Sequence, residues 1–286
     1  MSHDILIIGF GDIGAAVART LAQRGHAVTV LVRHLRPLEP TITQLLCDVS
    51  DAKTVADALH ARFFSYALIC LSPSEFTKAA YAAVFDSGIK NLLRHFPASL
   101  KKVFFVSSTS VYGQRDGEWV NENSVLAPTQ FNGEILLTAE QLLRDSDFSE
   151  VIVRFAGIYG RGQQILLSKV RNGELASAPS PFTNRIHRDD CIAVLLHLFD
   201  IAFAEQELHS SYLAADNEPV RMRDLQLWLR AAITANGGSL DSPLNIPATN
   251  TPRNQSSNKR CDNSRLLASG YRFRYPTFRD GYADIL

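Results

Sequence analysis

Between an apolar run, Ile5-Leu6-Ile7-Ile8, and an amphipathic stretch from Ile13 to Gln23, the chain reads Gly9-Phe10-Gly11-Asp12-Ile13-Gly14. Strand, glycine turn and helix in immediate succession make a geometry in which backbone can hold a pyrophosphate. Gly9 permits the tight turn, Gly11 leaves room for the phosphates, and Gly14 lets the helix pack closely on the strand. Amides at the helix start, aided by the helix dipole, then face the negative charge. The spacing alone is weak evidence. Its placement between strand and helix makes Gly9, Phe10, Gly11, Asp12, Ile13 and Gly14 candidate dinucleotide contacts, with a ligand-free βα turn as the alternative.

The rhythm after that turn constrains the rest. Short apolar runs at Ile5–Ile8, Ala27–Val32, Leu45–Cys47, Tyr66–Leu71, Val103–Val106 and Val151–Phe155 read as strands. Helical patterns at Val55–Arg62, Glu75–Phe96 (interrupted near Gly88) and Glu134–Arg144 lie between them. The strands are apolar almost throughout instead of alternating, the mark of a parallel sheet covered on both faces. The expected fold is α/β, a Rossmann-type doubly wound parallel sheet. From about Gly157 the rhythm changes. Helices are expected at Gln163–Arg171, Asp189–Ala204, Met222–Thr234 and Asn263–Ala268, a strand at Ser211–Ala214, and mostly loop from Asn236 to Lys259. The division expected is 1–160, with some later segments returning to it, and 161–286, a smaller C-terminal lobe.

Composition excludes several classes. Lys plus Arg equals Asp plus Glu at 29 each, so no global basic footprint for nucleic acid or anionic membrane exists. No apolar stretch reaches the roughly 20 residues of a membrane span, and the N-terminus lacks the basic segment of a signal peptide. The four scattered cysteines, Cys47, Cys70, Cys191 and Cys261, form no Cys-x-x-Cys pair and fit reduced thiols in a cytoplasmic protein. The eight histidines show no metal-ligand spacing, and no nucleophile elbow or P-loop lysine is present. His197 fits a core or interface position.

Two strand ends speak to the ligand. The second closes on Leu31-Val32-Arg33-His34, with Arg36 close behind. An NAD site usually has a carboxylate here; a guanidinium suits a 2′-phosphate, so NADP is expected over NAD. The third is followed by Asp48 and Val49, placed to meet an adenine amino group and ring. Asp48, Ser50 and Asp51 also fit a helix N-cap.

Residues 103–113, VFFVSSTSVYG, run a strand directly into Ser107, Ser108, Thr109 and Ser110. Together with GFGDIG (9–14), CDVSD (47–51), Leu71-Ser72-Pro73, VRFAGIYGRG (153–162) and RIHRDD (185–190), this segment resembles an atypical extended short-chain dehydrogenase/reductase of the NAD-dependent epimerase/dehydratase superfamily. The pieces come in the family's order and cover nearly the whole chain. The glycine motif departs from the family's usual Gly-x-x-Gly-x-x-Gly. The resemblance implies that Ser108 is the catalytic hydroxyl, that Leu71, Ser72 and Ser107 border the cofactor, and that Phe155, Ala156 and Gly157 lie beside the nicotinamide. It implies a substrate-binding role for the C-terminal lobe and a place for His187 to Asp190 where the lobes meet; a helix start is the plain alternative for His187 and Asp189. It also implies a homodimer through helices 75–96 and 131–144.

The family's chemistry needs Tyr-x-x-x-Lys on the helix after Pro128, the lysine lowering the tyrosine pKa. Counting back from Ala139-Glu140-Gln141-Leu142-Leu143, the tyrosine position falls on Phe131 or Asn132 and the lysine position on Ile135 or Leu136. Neither residue is present in either register. Either another group moves the proton, with Glu134, Tyr112 and Tyr159 as candidates, or binding remains without catalysis. Tyr112 and Tyr159 also fit structural packing, and Glu134 a first-turn helix acid. Two functions follow: an NAD(P)-dependent oxidoreductase or epimerase-like enzyme for a small carbonyl, polyol or sugar-nucleotide substrate, or a non-catalytic NADP-binding sensor.

Overall fold

The computed structural model describes residues 1–162, 165–245 and 257–286. Two compact units emerge from the chain path. The first comprises Met1–Val111, Pro128–Arg154 and Ile192–Tyr212; the second comprises Tyr112–Ala127, Phe155–Cys191 and Leu213–Leu286.

The first unit opens with β1 (Asp4–Ile8), α1 (Asp12–Gln23), β2 (Ala27–Val32), β3 (Ile42–Leu46), α2 (Ala52–Leu59) and β4 (Tyr66–Ile69). A long helix follows: α3 (Lys78–Ala82) widens into a π turn at Ala83–Ser87 and continues as α4 (Gly88–His95). Then come β5 (Lys102–Ser108), α5 (Phe131–Arg144) and β7 (Glu150–Phe155); β6 (Glu118–Val120), between β5 and α5 in the chain, belongs to the second unit. The order across the main sheet is β11-β7-β5-β4-β1-β2-β3, with β11 at Ser211–Ala214. The pairs β3–β2, β2–β1, β1–β4 and β4–β5 run parallel. This is the expected doubly wound sheet. Strand order reverses between β1 and β4, the place where such sheets open a crevice.

Burial drives the arrangement. Ile5–Ile8, Ala67–Ile69, Val103–Phe105 and Val151–Val153 have no exposed surface, each large side chain contributing about 1.5–3 kcal/mol on burial. α7 (Arg188–Phe203) is apolar on most sides because it is largely enclosed: Phe199 packs 4.3 Å from Phe104, and the Tyr66 hydroxyl donates to the Ala202 carbonyl. His197 is half-buried in this helix.

Details differ from the sequence expectation for local reasons. β3 begins at Ile42, upstream of Leu45, because its ladder with β2 starts at Val28↔Ile42. α2 begins at Ala52, capped by Asp51, whose carboxylate accepts from Lys53 N–H; Asp48 instead accepts from the Ser50 N–H and hydroxyl. The break near Gly88 is the π turn. Gly88 itself is needed where the helix presses on Val49, since a Cβ there would lie 2.9 Å from Val49 Cγ2. α5 starts three residues before Glu134, with Gln130 in extended conformation ahead of it.

One buried ionic knot holds β5, α5 and β7 together. Glu140, 0% exposed, accepts from Arg154 Nη2 at 2.7 Å and Nε at 3.0 Å, from Ser107 Oγ at 2.7 Å, and from Arg144 at 2.8 Å. Burial alone raises the Glu140 carboxyl, but Arg154, Ser107 and Arg144 outweigh it and hold the group below its ordinary value.

The second unit adds β8 (Gly157–Tyr159), α6 (Ile165–Arg171), β9 (Phe182–Thr183), β10 (Arg185–His187), β12 (Val220–Arg221), α8 (Met222–Ala235), β13 (Lys259–Cys261), α9 (Ser264–Ala268) and α10 (Phe278–Ala283). Strands β6, β8, β9, β10, β12 and β13, two or three residues each, pair as β6–β13, β8–β10 and β9–β12. They are too short to leave a period in the sequence. α10 lies beyond the last helix expected from the sequence and is started by a reciprocal cap between Thr277 and Asp280. Gln163, the expected start of α6, and residues 246–256 of the expected loop lie outside the described residues. Tyr159, Leu167, Leu225, Leu229, Phe278 and Tyr282 form this unit's core. Buried Asp190 accepts from the Tyr271 hydroxyl at 2.6 Å and the amides of Arg274 and Tyr275. Asp216, 1% exposed, is less well served: its carboxylate accepts from the Glu218 amide, and Oδ2 has no partner among the described residues. Burial first, and the nearby Glu218 and Asp190 charges, push its pKa up to about 8 against the pull of Arg185.

Two stability predictions follow from these buried charges. Arg154→Met leaves the Glu140 charge without its main partner and should cost about 3–5 kcal/mol in urea unfolding at neutral pH, whereas Glu140→Leu combined with Arg154→Met should recover most of it. Asp216 must stay protonated when folded, so stability should fall as pH rises from its ordinary pKa of 3.8 toward about 8. Asp216→Asn should flatten that limb of the melting temperature against pH.

Candidate functional site

The crevice at the strand reversal holds a cavity of about 290 Å³. Its floor is the glycine turn. Gly9 sits at φ +101°, and a Cβ there would collide with the Cys70 carbonyl; a Cβ on Gly14 would collide with the Gly9 carbonyl. Gly11 is different. It is in ordinary extended conformation (φ −79°, ψ −166°), and a Cβ on it would meet nothing within 4 Å. The first two glycines are demanded by the protein's own backbone, and Gly11 by nothing inside the protein. The bare approach to its amide is what a bound pyrophosphate would need. Asp12, Ile13 and Gly14 form the first turn of α1 behind it.

Gly9, Phe10, Gly11, Arg33, Asp48, Val49, Leu71 and Ser72 all line this cavity. So do residues that sequence reasoning did not single out as contacts: His34, Arg36, Cys47, Cys70 and Val84. Arg33, His34 and Arg36 are exposed side chains at the end of β2, and neither arginine pairs with a carboxylate among the described residues. The loop carrying Arg36 is tied down by Gln44, which exchanges hydrogen bonds with its backbone N–H and C=O. The Asp48 carboxyl is held below its ordinary value, first by the Ser50 hydroxyl and also by the Arg33 charge. Burial pushes the thiols up, Cys47 to about 11 and Cys70 to about 12, so both are unreactive walls at neutral pH. Val84 leaves no such signal, because it lies in the π turn at Ala83–Ser87, where the helical phase is altered.

β5 includes both serines of the SST segment. Ser107 turns its hydroxyl to Glu140, while Ser108 Oγ accepts from the Ser110 N–H at 3.1 Å. The first turn of α5 lies against this strand end: a Cβ on Gly133 would collide with the Ser110 carbonyl. Phe131 and Asn132 occupy that turn, Ile135 and Leu136 the next, and Glu134 points to solvent.

The remaining expected residues belong to the second unit. Phe155 and Ala156 are buried at the end of β7, and Ala156 donates its N–H to the Ala214 carbonyl; Gly157 opens β8. Tyr112 is buried, with its carbonyl accepting from the Lys259 ammonium. Tyr159 is buried against Tyr282 at 4.4 Å, and burial pushes its hydroxyl well up. That environment suits a packing residue and gives neither tyrosine access to a substrate. His187 lies between Tyr159 and Tyr275, its pKa lowered by burial, and its Nδ1 accepts from the Asp189 N–H at the start of α7. Among the described residues no cluster could hold a metal ion, all four cysteines are free, and no helix is long and apolar enough to cross a membrane.

The sequence family described as NAD(P)H-binding matches residues 9–200. The chain belongs to this family. A Methylobacillus flagellatus protein, provisionally described as an NAD-dependent epimerase/dehydratase, is 35% identical, with 99% of this chain and 97% of that one covered and a TM-score of 0.81. Two more distant structures share the fold. The Bordetella bronchiseptica enzyme WbmG, in complex with NAD and UDP, is 17% identical over 100% of this chain and 94% of its own, with a TM-score of 0.80. The human epimerase family protein SDR39U1, with NADPH, is 18% identical over 98% of each chain, with a TM-score of 0.74. No curated protein sequence matches the chain. The epimerase/dehydratase resemblance that the motifs carry is therefore in line with the family to which the chain belongs and with this 35% identical relative.

The contrast between the glycines is testable. Gly11→Ala should leave the melting temperature unchanged and abolish dinucleotide binding in fluorescence titration. Gly9→Ala should instead fail to fold, because it combines a left-handed backbone with a backbone collision.

Proposed function

We propose that the protein is an NADP(H)-dependent oxidoreductase of the epimerase/dehydratase type, acting on a small carbonyl, polyol or sugar-nucleotide substrate. The observation that carries the cofactor preference is the pair of guanidiniums, Arg33 and Arg36, at the cavity wall without carboxylate partners among the described residues. A 2′-phosphate is the group such a pair would neutralise. NADPH in the human relative is in line with this reading, and NAD in WbmG shows that the fold itself does not dictate it.

On this reading Gly9–Gly14 face the pyrophosphate, Asp48 and Val49 the adenine, Leu71, Ser72 and Ser107 the region beside the nicotinamide ribose, and Phe155–Gly157 the nicotinamide. A bound nicotinamide would supply hydride exchange. Ser108 would orient the substrate oxygen: its Oγ already accepts from Ser110 N–H, which leaves the hydroxyl hydrogen to donate. The second reading, a non-catalytic NADP sensor, is favoured by the absence of tyrosine and lysine from the first turns of α5 and the deep burial of Tyr112 and Tyr159.

NADPH should bind more tightly than NADH in calorimetric titration. Arg33→Ala should weaken NADPH about 10–100-fold, the worth of a charged hydrogen bond of roughly 1.5–3 kcal/mol, and should change NADH by less than about threefold. Equal losses for both cofactors would remove the 2′-phosphate role.

A further inference from the structure

The loop between β2 and β3 brings Arg36 to the cavity wall and has little of its own to hold it. Residues 33–37 are exposed, and Pro37 disfavours helical backbone at Arg36. Among the described residues, the backbone of 33–38 makes two hydrogen bonds, and both go to one side chain. Gln44 Oε1 accepts from the Arg36 N–H at 3.2 Å, and Gln44 Nε2 donates to the Arg36 carbonyl at 2.8 Å. Gln44 stands in β3, opposite Val30 in the ladder, so its amide is based on the sheet. A primary amide offers a donor and an acceptor together, and here each meets the matching backbone group of one residue. A second tie, Arg19 Nε to Glu39 Oε1 at 2.8 Å, lies farther along the loop and joins two half-exposed side chains, a pairing that holds little in water. Gln44 is therefore the clasp on the cavity-lining residue of this loop.

We propose that Gln44 is a positioning residue for the choice of NADP(H): it fixes the backbone of Arg36 before the ligand arrives, so that the guanidinium meets a 2′-phosphate without first ordering its loop. This rests on the NADP(H) reading above. Without the clasp, the exposed loop must be ordered by the ligand, and that entropy is subtracted from the binding energy. Only a ligand that Arg36 touches is affected. The neighbouring groups are held by other means. Arg33 follows directly on β2, whose Val32 carbonyl accepts from the Cys47 N–H. Asp48 donates its N–H to Thr54 Oγ1 and accepts from the Ser50 N–H. The glycine turn is fixed by its own backbone contacts with Cys70. Adenine and pyrophosphate contacts are thus independent of Gln44, and its loss acts on the phosphorylated dinucleotide alone.

The test is calorimetric titration of the full chain with NADPH and with NADH. Gln44→Met keeps the length of the side chain and removes both hydrogen bonds. It should weaken NADPH about tenfold, the effect of ordering roughly one backbone residue, and change NADH by less than about twofold. Arg36→Ala should weaken NADPH at least as much. The double variant should bind NADPH no more weakly than Arg36→Ala alone, because a clasp has no effect once the clasped group is gone. In Arg33→Ala protein, by contrast, Gln44→Met should still exert its full effect. If Gln44→Met does not melt cooperatively, Gln44→Ala takes its place in the same cycle. Equal losses for both dinucleotides overturn the role of Gln44, as does a further loss from Gln44→Met in Arg36→Ala protein, or NADPH affinity unchanged by either single variant. In those cases a wild-type preference for NADPH leaves the cofactor reading standing. A wild type that does not prefer NADPH overturns both.

Discussion

The contact on which the first unit depends is backbone against backbone. Gly9 and Gly14 bring the β1–α1 turn so close to the end of β4 that no side chain fits between Gly9 and the Cys70 carbonyl. That contact sets the start of α1 beside Leu71 and Ser72, the residues that leave β4. With strand order reversing at the same point, the helix dipole, the open side of Gly11 and the ends of β2 and β3 converge on one cavity. Enlarging either tight glycine would separate helix from sheet, and the arginines at the end of β2 would no longer face the same space as the turn.

A second constraint works on the other side of the reversal. Glu140 and Arg154 are buried as charges, which hydrocarbon of the same volume would make unnecessary for stability alone. Their effect is geometric. One carboxylate takes hydrogen bonds from β5, through Ser107, from β7, through Arg154, and from its own helix, through Arg144. α5 is thereby fixed in rotation and translation against the strand that ends in Ser108. The helix can lose the tyrosine and lysine of the family pattern and still keep its place, because nothing in this knot involves positions 131–136.

Legibility in the sequence tracked length and period. The six apolar runs of the first half and the glycine turn announce a parallel doubly wound sheet, since a strand buried on both faces is apolar at nearly every position and the helices between leave a longer period. The paired strands of the second unit, such as Phe182–Thr183 with Val220–Arg221, leave none; only the distant partner makes them strands. At the cavity, Arg33 and Asp48 were readable because strand ends point there in this topology. Val84 was not, because it enters through a helix whose phase is altered by a π turn. The Glu140 knot was hidden for a different reason: Ser107, Glu140 and Arg154 are spaced far along the chain, and only the sheet order brings them together.

The missing lysine has a directional consequence. A phenol with an ammonium beside it can both give and take a proton near neutral pH. Tyr81 is shifted the other way, by burial, and every ring it touches is uncharged on the contact side: Phe76, Phe85 and Phe131. Such a phenol is a weaker acid than a free tyrosine and stays protonated at neutral pH, so the proton exchange that the family's lysine makes possible has no counterpart in this ring.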